Sequence, residues 1–281
     1  MQYNDLKRDL GKAIEVAKSL KKPSINDNIL IISDYMSRSA GKILYISLLS
    51  SGKKATLLTP TESVEYSLPY YEHFNSVIVF SSNSKDSRSV HAAEVSRLMN
   101  LEVNFISPKM EDTLEERLEY LNVNRILVNS KTPVIVNSIA SLLWIPEDLG
   151  DRYERIKREI DDLENSYDWL INKYGSSTEK MKNLNEEFVM FYTPSTEAGA
   201  IYCYNIIQNC IFILPIELLS NKIKYRKYLL TSSVDSSDFK DLILMLKMGY
   251  LDNEVIEFNT DPITAGLYSM LLISLISNKL I

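Results

Sequence analysis

Two serine-rich segments carry the residue types that bind phosphate groups. They span residues 34–39 and 81–89, and each follows a short apolar run and precedes a helical pattern. The first turn of a helix presents unpaired backbone N–H groups, and serine hydroxyls add further donors, so such a turn can hold an anion. The side chains of Arg38, Lys85 and Arg88 could supply positive charge. The same serines could instead only cap helices and fill turns, and both interpretations stay open.

These segments lie within an alternation of strand and helix patterns that runs along the whole chain. Continuous apolar runs typical of buried strands occupy residues 28–33, 56–59, 77–80, 103–106, 126–128, 188–192, 228–230 and 255–258. The alternation predicts an α/β protein with mainly parallel sheets flanked by helices on both faces. A serine-rich turn follows a strand in each half, at 80–87 (FSSNSKDS) and 230–237 (LTSSVDSS), which is consistent with an internal duplication.

The length of 281 residues fits two domains better than one. We expect one domain over residues 1–150 and the other over 151–281. Apolar residues recur at steps of three and four among charged positions over about 151–175, which predicts a long amphipathic linker helix.

A further predicted helix, over residues 201–210, contains both cysteines, Cys203 and Cys210. They would lie on one face of this helix about 10 Å apart, which is too far for a disulfide.

Composition and charge exclude several classes of protein. The net charge is −6 and the pI is near 5.2, which argues against nucleic acid or an anionic membrane as the main partner. Two histidines and two cysteines are too few for a zinc site of the usual kind. The apolar stretch 263–276 is shorter than a membrane span, so it predicts a buried helix. The N-terminus has no apolar signal core, and we expect a cytoplasmic protein.

The two serine-rich segments resemble the phosphate loops of the sugar-isomerase (SIS) domain, over residues 31–44 (IISDYMSRSAGKIL) and 77–103. Residues 65–82 (EYSLPYYEHFNSVIVFSS), 200–223 and 261–272 (DPITAGLYSMLL) are similar to segments of the bifunctional phosphoglucose/phosphomannose isomerase family. The resemblance implies two tandem SIS domains of flavodoxin-like, three-layer form. It also implies a sugar-phosphate ligand, a homodimer whose sites are shared between subunits, and no metal or organic cofactor.

The phosphate-binding residues that the resemblance implies lie in both loops. Ser37 and Ser81 match the first serines of the two loops, and Ser89 matches the last threonine of the second. Asp86 stands where the family has a threonine, and its carboxylate would repel a phosphate unless it is protonated or turned away. A shifted alignment lets other serines of the loop serve instead. The full predicted set is Ser37, Ser39, Ser81, Asn83, Ser84 and Ser89.

The catalytic positions that the resemblance implies are largely replaced. Asn209 stands where the family has its glutamate base, and Ser220 stands where it has its ring-opening histidine. An amide does not accept a carbon-bound proton near neutral pH, and a serine without its own base does not shuttle protons there. The C-terminal lysine of the family is replaced by Leu271, whereas Thr264 keeps a hydroxyl. Glu217 is a candidate replacement base, unless it is only a structural or surface glutamate. Glu197 is a second candidate, unless it only complements the helix dipole.

Two functions follow from this mixture. The first is a phosphosugar isomerase that interconverts glucose 6-phosphate or mannose 6-phosphate with fructose 6-phosphate, as the resemblance implies. The second is a catalytically inactive protein that binds a sugar phosphate, as a regulator or as the partner of an active paralogue. Retained loop serines favour binding in either case, and the replaced acid/base positions favour the second function.

Overall fold

A computed structural model describes residues 3–70, 73–182, 186–213, 225–248 and 253–281. The chain divides into two compact units. The N-terminal unit comprises Leu10–Ile160 together with Ile281, and the C-terminal unit comprises Asp161–Leu280 together with the residues up to Asp9. The expected domain bounds, 1–150 and 151–281, stay a prediction.

The N-terminal unit is built on a five-stranded parallel sheet with the strand order β2-β1-β3-β4-β5. Its strands are β1 (Asn28–Ser33), β2 (Lys54–Leu58), β3 (Ser76–Phe80), β4 (Glu102–Ser107) and β5 (Asn124–Leu127). The central strands β1 and β3 are apolar along almost their whole length because helices cover both faces of the sheet. Leu30, Val77 and Val79 belong to a core cluster that also contains Ala93 and Leu118 from the covering helices.

Helices connect these strands and continue beyond the sheet. They are α1 (Tyr3–Ser19), α2 (Arg38–Ser50), the short α3 (Pro60–Glu62), α4 (Ser87–Leu98), α5 (Asp112–Tyr120), α6 (Pro133–Leu143) and α7 (Asp151–Asp161). A π-helical turn, Ser63–Ser67, and a 3-10 turn, Leu68–Tyr70, follow α3. The sequence pattern predicted this α/β class, and the structure confirms it.

The C-terminal unit repeats the arrangement on a smaller scale. Its strands are β6 (Phe188–Tyr192), β7 (Cys210–Ile213), β8 (Arg226–Ser232) and β9 (Glu254–Phe258), all parallel and in the order β7-β6-β8-β9. Its helices are α8 (Ser166–Lys182), α9 (Glu197–Ile206), α10 (Lys240–Met248) and α11 (Pro262–Ser277). By sheet position, β6 corresponds to β1 and β8 corresponds to β3.

Helix α11 is the apolar C-terminal helix that the sequence predicted to be buried, and the structure confirms this burial. It packs closely against α9. A Cβ atom on Gly199 of α9 would lie only 2.4 Å from the Cβ atom of Ser269 on α11, so the two helix backbones approach as closely as they do because residue 199 has no side chain. No helix in the described ranges is long and apolar enough to cross a membrane.

The predicted linker helix over about 151–175 is wrong in two respects. Helix α7 ends at Asp161, and a 3-10 turn, Leu163–Asn165, separates it from α8. The side-chain amide of Asn165 donates to the Asp162 carboxylate at 2.7 Å, and such local side-chain bonds compete with helical hydrogen bonding. Helix α8 then runs through Gly175 to Lys182 instead of ending near residue 175.

The predicted helix over 201–210 is also wrong, because α9 ends at Ile206 and Cys210 begins strand β7. Ile207 has extended backbone angles, and β-branched residues fit a strand better than a helix. Cys203 and Cys210 therefore do not share a helix face. Both are free and buried, and burial, together with the hydrogen bond that the Cys203 thiol donates to Cys210, raises the pKa of Cys203.

Candidate anion-binding site

The carboxyl ends of β1 and β3 bring the two serine-rich turns side by side. Ser33 and Phe80, the last residues of these strands, pair across the sheet. From β1 the chain crosses to β2 on one side, whereas β3 lies on the other side, so this edge is a topological switch point. Open α/β sheets bind ligands in the crevice at such points. The turn after β1 leads into α2, and the turn after β3 leads into α4.

Donors from both turns converge on one carboxylate, that of Asp34. The backbone N–H of Ser37 donates to its Oδ1 at 2.5 Å, and the backbone N–H of Ser82 donates to its Oδ2 at 2.8 Å. The Ser82 hydroxyl donates to the same Oδ2 at 3.1 Å, and the Ser81 hydroxyl lies 3.4 Å from it. Two backbone amides and one or two hydroxyls thus point at a single anionic group. Sequence reasoning treated Asp34 only as part of a polar turn.

The environment of Asp34 makes ionisation of its carboxyl less favourable than in an exposed aspartate. Burial raises the pKa of this carboxyl, the hydrogen bonds from the Ser82 and Ser37 amides lower it, and the nearby charge of Asp86 raises it again. The net direction is upward. Asp34 therefore holds a proton more readily than an exposed aspartate does.

A second carboxylate, Asp86, takes two further donors at the turn after β3. It is the N-cap of α4, where its Oδ1 accepts the backbone N–H of Ser89 at 3.1 Å. Its Oδ2 accepts the Ser81 hydroxyl at 3.1 Å. The Asn83 carbonyl lies 3.3 Å from the same hydroxyl. A hydroxyl has one hydrogen, so Ser81 donates to only one of Asp34, Asp86 and the Asn83 carbonyl at any moment. Asp86 thus occupies donors that could otherwise bind an anion.

The predicted phosphate-binding residues lie at this edge of the sheet with different degrees of hydrogen bonding. The buried Ser37 hydroxyl interacts with the Asp34 carboxylate, whose pKa it lowers. The hydroxyls of Ser39 and Ser89 are buried and have no hydrogen-bond partner among the residues that the structure describes. Buried polar groups normally have a partner, so these hydroxyls hold unused donor capacity next to the Asp34 cluster. Ser81 donates to a carboxylate or to the Asn83 carbonyl, as described above.

The other two predicted residues, Asn83 and Ser84, shape the turn. The Asn83 side-chain oxygen accepts the backbone N–H of Lys85 at 3.0 Å, and the Ser84 carbonyl accepts the backbone N–H of Glu111 at 3.0 Å. The Lys85 ammonium lies 3.1 Å from the Glu111 carboxylate, so its charge is directed to that exposed pair. Arg88 is exposed in the first turn of α4.

The equivalent turns of the C-terminal unit also meet on a carboxylate. Asp235, in the turn after β8, accepts the backbone N–H of Ser195 at 3.1 Å and the Ser195 hydroxyl at 2.6 Å. Ser195 lies in the turn after β6. The backbone N–H of Asp235 donates to the Ser232 hydroxyl at 3.2 Å, which fixes the turn itself. The duplicated serine-rich segment 230–237 was the only sign of this cluster in the sequence.

The predicted catalytic residues are not brought together. The carbonyl of Asn209 accepts the backbone N–H of Phe188 at 3.0 Å, and Phe188 begins β6, so Asn209 lies at the amino edge of its sheet. Thr264 lies in the first turn of α11 at the opposite edge, where its hydroxyl donates to the Asp261 carbonyl at 3.1 Å. Glu217 and Ser220 lie outside the described residues.

Two cavities lie along the outer side of α4, with volumes of about 550 and 410 Å³. Both are lined by His91 and Arg117, and neither is lined by Asp34 or the serines around it. The Arg117 guanidinium donates to both oxygens of Glu94, at 2.6 and 2.5 Å, so its charge is already paired.

In the described ranges, no group of three or more His, Cys, Asp or Glu side chains could hold a metal ion.

Comparison with known proteins identifies the fold. The chain superimposes on glucosamine-6-phosphate deaminase from Thermotoga maritima with a TM-score of 0.69 and 12% identity, over 98% of this chain and 91% of that one. It superimposes on a candidate phosphosugar isomerase from Salmonella typhimurium with a TM-score of 0.68 and 13% identity, over 99% and 92%. For tagatose-6-phosphate ketose/aldose isomerase from Escherichia coli the TM-score is 0.61 and the identity 11%, over 98% and 87%.

This chain has the SIS fold of the phosphosugar isomerases. Each unit corresponds to one SIS-type domain, with a parallel sheet flanked by helices. No protein-family model and no curated protein sequence matches the chain. The SIS fold is thus evident from the backbone, whereas little of the sequence of these proteins remains.

Proposed function

We propose that this chain is a phosphosugar isomerase-like protein whose main activity is to bind a sugar phosphate. The phosphate would lie at the SIS turns that follow β1 and β3. One observation carries this proposal: the backbone amides of Ser37 and Ser82, from two different turns, point at a single anionic group. Amides that hold a carboxylate in this way can hold a phosphate oxygen by the same charge-assisted hydrogen bonds.

The unused hydroxyls beside this point support a larger anion than a carboxylate. A phosphate group has three terminal oxygens, each of which accepts more than one hydrogen bond. Ser39 and Ser89 each offer a buried hydroxyl that makes no hydrogen bond within the described ranges. Their donors would match the additional oxygens of a phosphate.

We propose glucose 6-phosphate, mannose 6-phosphate and fructose 6-phosphate as the first ligands to test, on the basis of the resemblance in sequence. Aldose–ketose isomerisation needs a base that moves a proton between C1 and C2, and a group that opens the sugar ring. Asn209 has no basic lone pair, and its backbone lies at the amino edge of the C-terminal sheet, opposite the edge where the turns after β6 and β8 lie. These two points favour binding without efficient turnover, as in a regulator or the partner of an active paralogue.

A second candidate function is isomerase activity itself. It is favoured by the likeness to the ketose/aldose isomerase over 98% of this chain. Each missing acid/base group costs about 10²–10⁴ in rate, so a residual activity would need Glu217 or another carboxylate as the base. A coupled assay of fructose 6-phosphate formation separates the two functions. We expect no turnover above background, and clear turnover by the natural sequence would replace the binding-only proposal with the isomerase.

Calorimetric titration tests the proposed binding directly. The three sugar phosphates should bind, whereas unphosphorylated glucose and fructose should not. Ser89→Ala removes a buried, unused hydroxyl, and we expect the affinity to fall about tenfold, the loss of one hydrogen bond of about 1.4 kcal/mol. Ser96→Ala is the matched control, because Ser96 lies on the same helix, is equally buried, and donates to the Ala92 carbonyl at 2.7 Å. Equal binding of glucose and glucose 6-phosphate would contradict the proposal.

We also propose a cytoplasmic homodimer, as the resemblance implies. The exposed rings of Tyr66 and Tyr70, which are 75% and 80% accessible, could supply apolar contact area. Helix α11 could not, because most of its residues are already buried within the C-terminal unit. Sedimentation equilibrium of the natural sequence and of a Tyr66→Ser/Tyr70→Ser variant tests this interface. A monomeric natural sequence would overturn it.

A further inference from the structure

The donors at the proposed phosphate position already have an acceptor within the chain. Asp34 accepts the Ser37 amide through Oδ1, and it accepts the Ser82 amide and hydroxyl through Oδ2. Each backbone amide has one hydrogen, so it cannot bond fully to Asp34 and to a ligand oxygen at the same time. A ligand that uses these amides must therefore displace the Asp34 carboxylate or share its donors.

The negative charge of Asp34 makes it unfavourable for a phosphate to share these donors with the carboxylate. A phosphate near the Ser37 and Ser82 amides would lie next to the carboxylate that these amides now hold, and like charges repel strongly where burial lowers the effective dielectric constant. Asp86, which caps α4 and accepts the Ser81 hydroxyl, adds a second negative charge to the same turn. The two carboxylates therefore oppose the anion that the surrounding donors favour.

We propose that Asp34 is an internal anion that competes with the ligand phosphate for the same donors, and that it sets how tightly this site binds phosphate. This inference rests on the proposed function, because it assigns Asp34 a role at the same phosphate position. Burial and the charge of Asp86 already raise the pKa of Asp34, which is the direction expected for a carboxyl in a site with competing anions. Asp34 is thus a specificity-determining residue and does not take part in bond making or breaking.

Asp34→Asn tests this role with little change in shape. The amide keeps one oxygen that can accept from Ser37 or Ser82, but it removes the negative charge. We expect Asp34→Asn to bind inorganic phosphate and glucose 6-phosphate at least tenfold more tightly than the natural sequence in calorimetric titrations. Asp235→Asn is the matched control, because Asp235 holds the equivalent turn of the C-terminal unit. Its affinity for both probes should equal that of the natural sequence.

The outcomes separate this inference from the proposed function. If the natural sequence binds glucose 6-phosphate and Asp34→Asn binds it no more tightly, the role of Asp34 is overturned and the proposed function stands. If only Asp34→Asn binds, the competition is upheld and the proposed function fails for the natural sequence. If neither binds either probe, both are overturned.

A measurement on the natural sequence keeps the inference testable if Asp34→Asn does not fold. At saturating glucose 6-phosphate, the amide resonances of Ser37 and Ser82 should shift together in ¹⁵N-resolved NMR spectra, because both change their acceptor. The amide of Ser195, which donates to Asp235, should not shift. Saturable binding with unchanged Ser37 and Ser82 resonances would overturn the proposed competition.

Discussion

The two units fill the same position at the carboxyl edge of their sheets with a carboxylate, but they take it from opposite strands. In the N-terminal unit the acid, Asp34, follows β1, and its partner Ser82 follows β3. In the C-terminal unit the acid, Asp235, follows β8, and its partner Ser195 follows β6. Since β6 corresponds to β1 and β8 to β3, acid and donor have exchanged places.

This exchange indicates that the geometry of the turns, and not one particular loop sequence, leaves backbone N–H groups that need a hydrogen-bond acceptor. Backbone amides of the turns at the switch point of a parallel sheet, both directly after a strand and at a helix start, need an anionic or polar partner. Any carboxylate within reach satisfies them. The units differ in focus, however, because Asp34 receives amides from two turns, whereas the amide and hydroxyl described for Asp235 both come from Ser195. The N-terminal turns are therefore better arranged to bind an anion than the C-terminal turns.

The largest effect on stability is expected from substitution of a glycine in α2 or α9, the helices that follow the corresponding strands β1 and β6. A Cβ atom on Gly199 of α9 would lie 2.4 Å from the Ser269 Cβ, whereas one on Gly41 of α2 would lie 3.0 Å from a flexible Leu57 methyl group and 3.2 Å from the Ser33 Cβ. Gly199→Ala should lower the free energy of unfolding by about 2–3 kcal/mol through overpacking. Gly41→Ala should lower it by less, because its contacts are longer and the helix propensity of alanine offsets about 1 kcal/mol of the crowding.

Urea unfolding of both variants measures this difference. The double variant Gly199→Ala/Ser269→Gly should recover most of the lost stability, because it removes the opposing Cβ atom. Equal effects of the two alanine substitutions would show that α2 and α9 are packed alike.

An intermediate effect on stability is expected from removal of the serine hydroxyls that donate to Asp235 and Asp34. Ser195→Ala removes the 2.6 Å hydrogen bond to Asp235. We expect the free energy of unfolding to fall by about 1–2 kcal/mol. The expected loss is smaller than for a fully buried bond to a charged group, because this cluster is partly exposed to solvent. Ser82→Ala removes a 3.1 Å bond and should cost less than about 1 kcal/mol, since Asp34 keeps two backbone amides. Chemical unfolding measures both, and a larger loss for Ser82→Ala would reverse the comparison.

The smallest effect concerns pH. The folded state raises the pKa of Asp34 above its unfolded value, mainly by burial, so the folded protein binds more protons than the unfolded chain between these two values. The contribution of Asp34 to stability is therefore full below the ordinary aspartate pKa and is lost as the pH rises through the raised pKa. The melting temperature of the natural sequence should fall relative to that of Asp34→Asn as the pH rises above the ordinary aspartate pKa. A gap that does not change with pH would contradict this direction.

The strand and turn pattern predicted much of the fold because each buried strand is a local feature. The expected strand over 77–80 is β3, Ser76–Phe80, and the expected strand over 188–192 is β6, Phe188–Tyr192. Strand β7 was missed, since its four residues continue an apolar run that also fits a helix. That error placed Asn209 in a helix, although it precedes a strand at the amino edge of the sheet.

The site was predicted less well because its decisive contacts are distant in sequence. The loop serines were found from local composition, but Asp34 and Ser82 are 48 residues apart, and Ser195 and Asp235 are 40 residues apart. Only the order of the strands brings each pair together. An aspartate directly after a buried strand, beside a serine-rich turn, was the available signal for Asp34.

Strand β7 also determines how the protein would fail under stress. Among the described residues it is the outermost strand of its sheet, and its residues Cys210–Ile213 (CIFI) carry no charge. The other edge strands of the two described sheets each carry charged side chains: Lys54 on β2, Arg125 on β5, and Glu254 and Glu257 on β9. Charged residues on an edge discourage strands of different molecules from pairing, and β7 has none. Loosening of α9, which packs near β7, would therefore promote intermolecular β-aggregation through the C-terminal unit first.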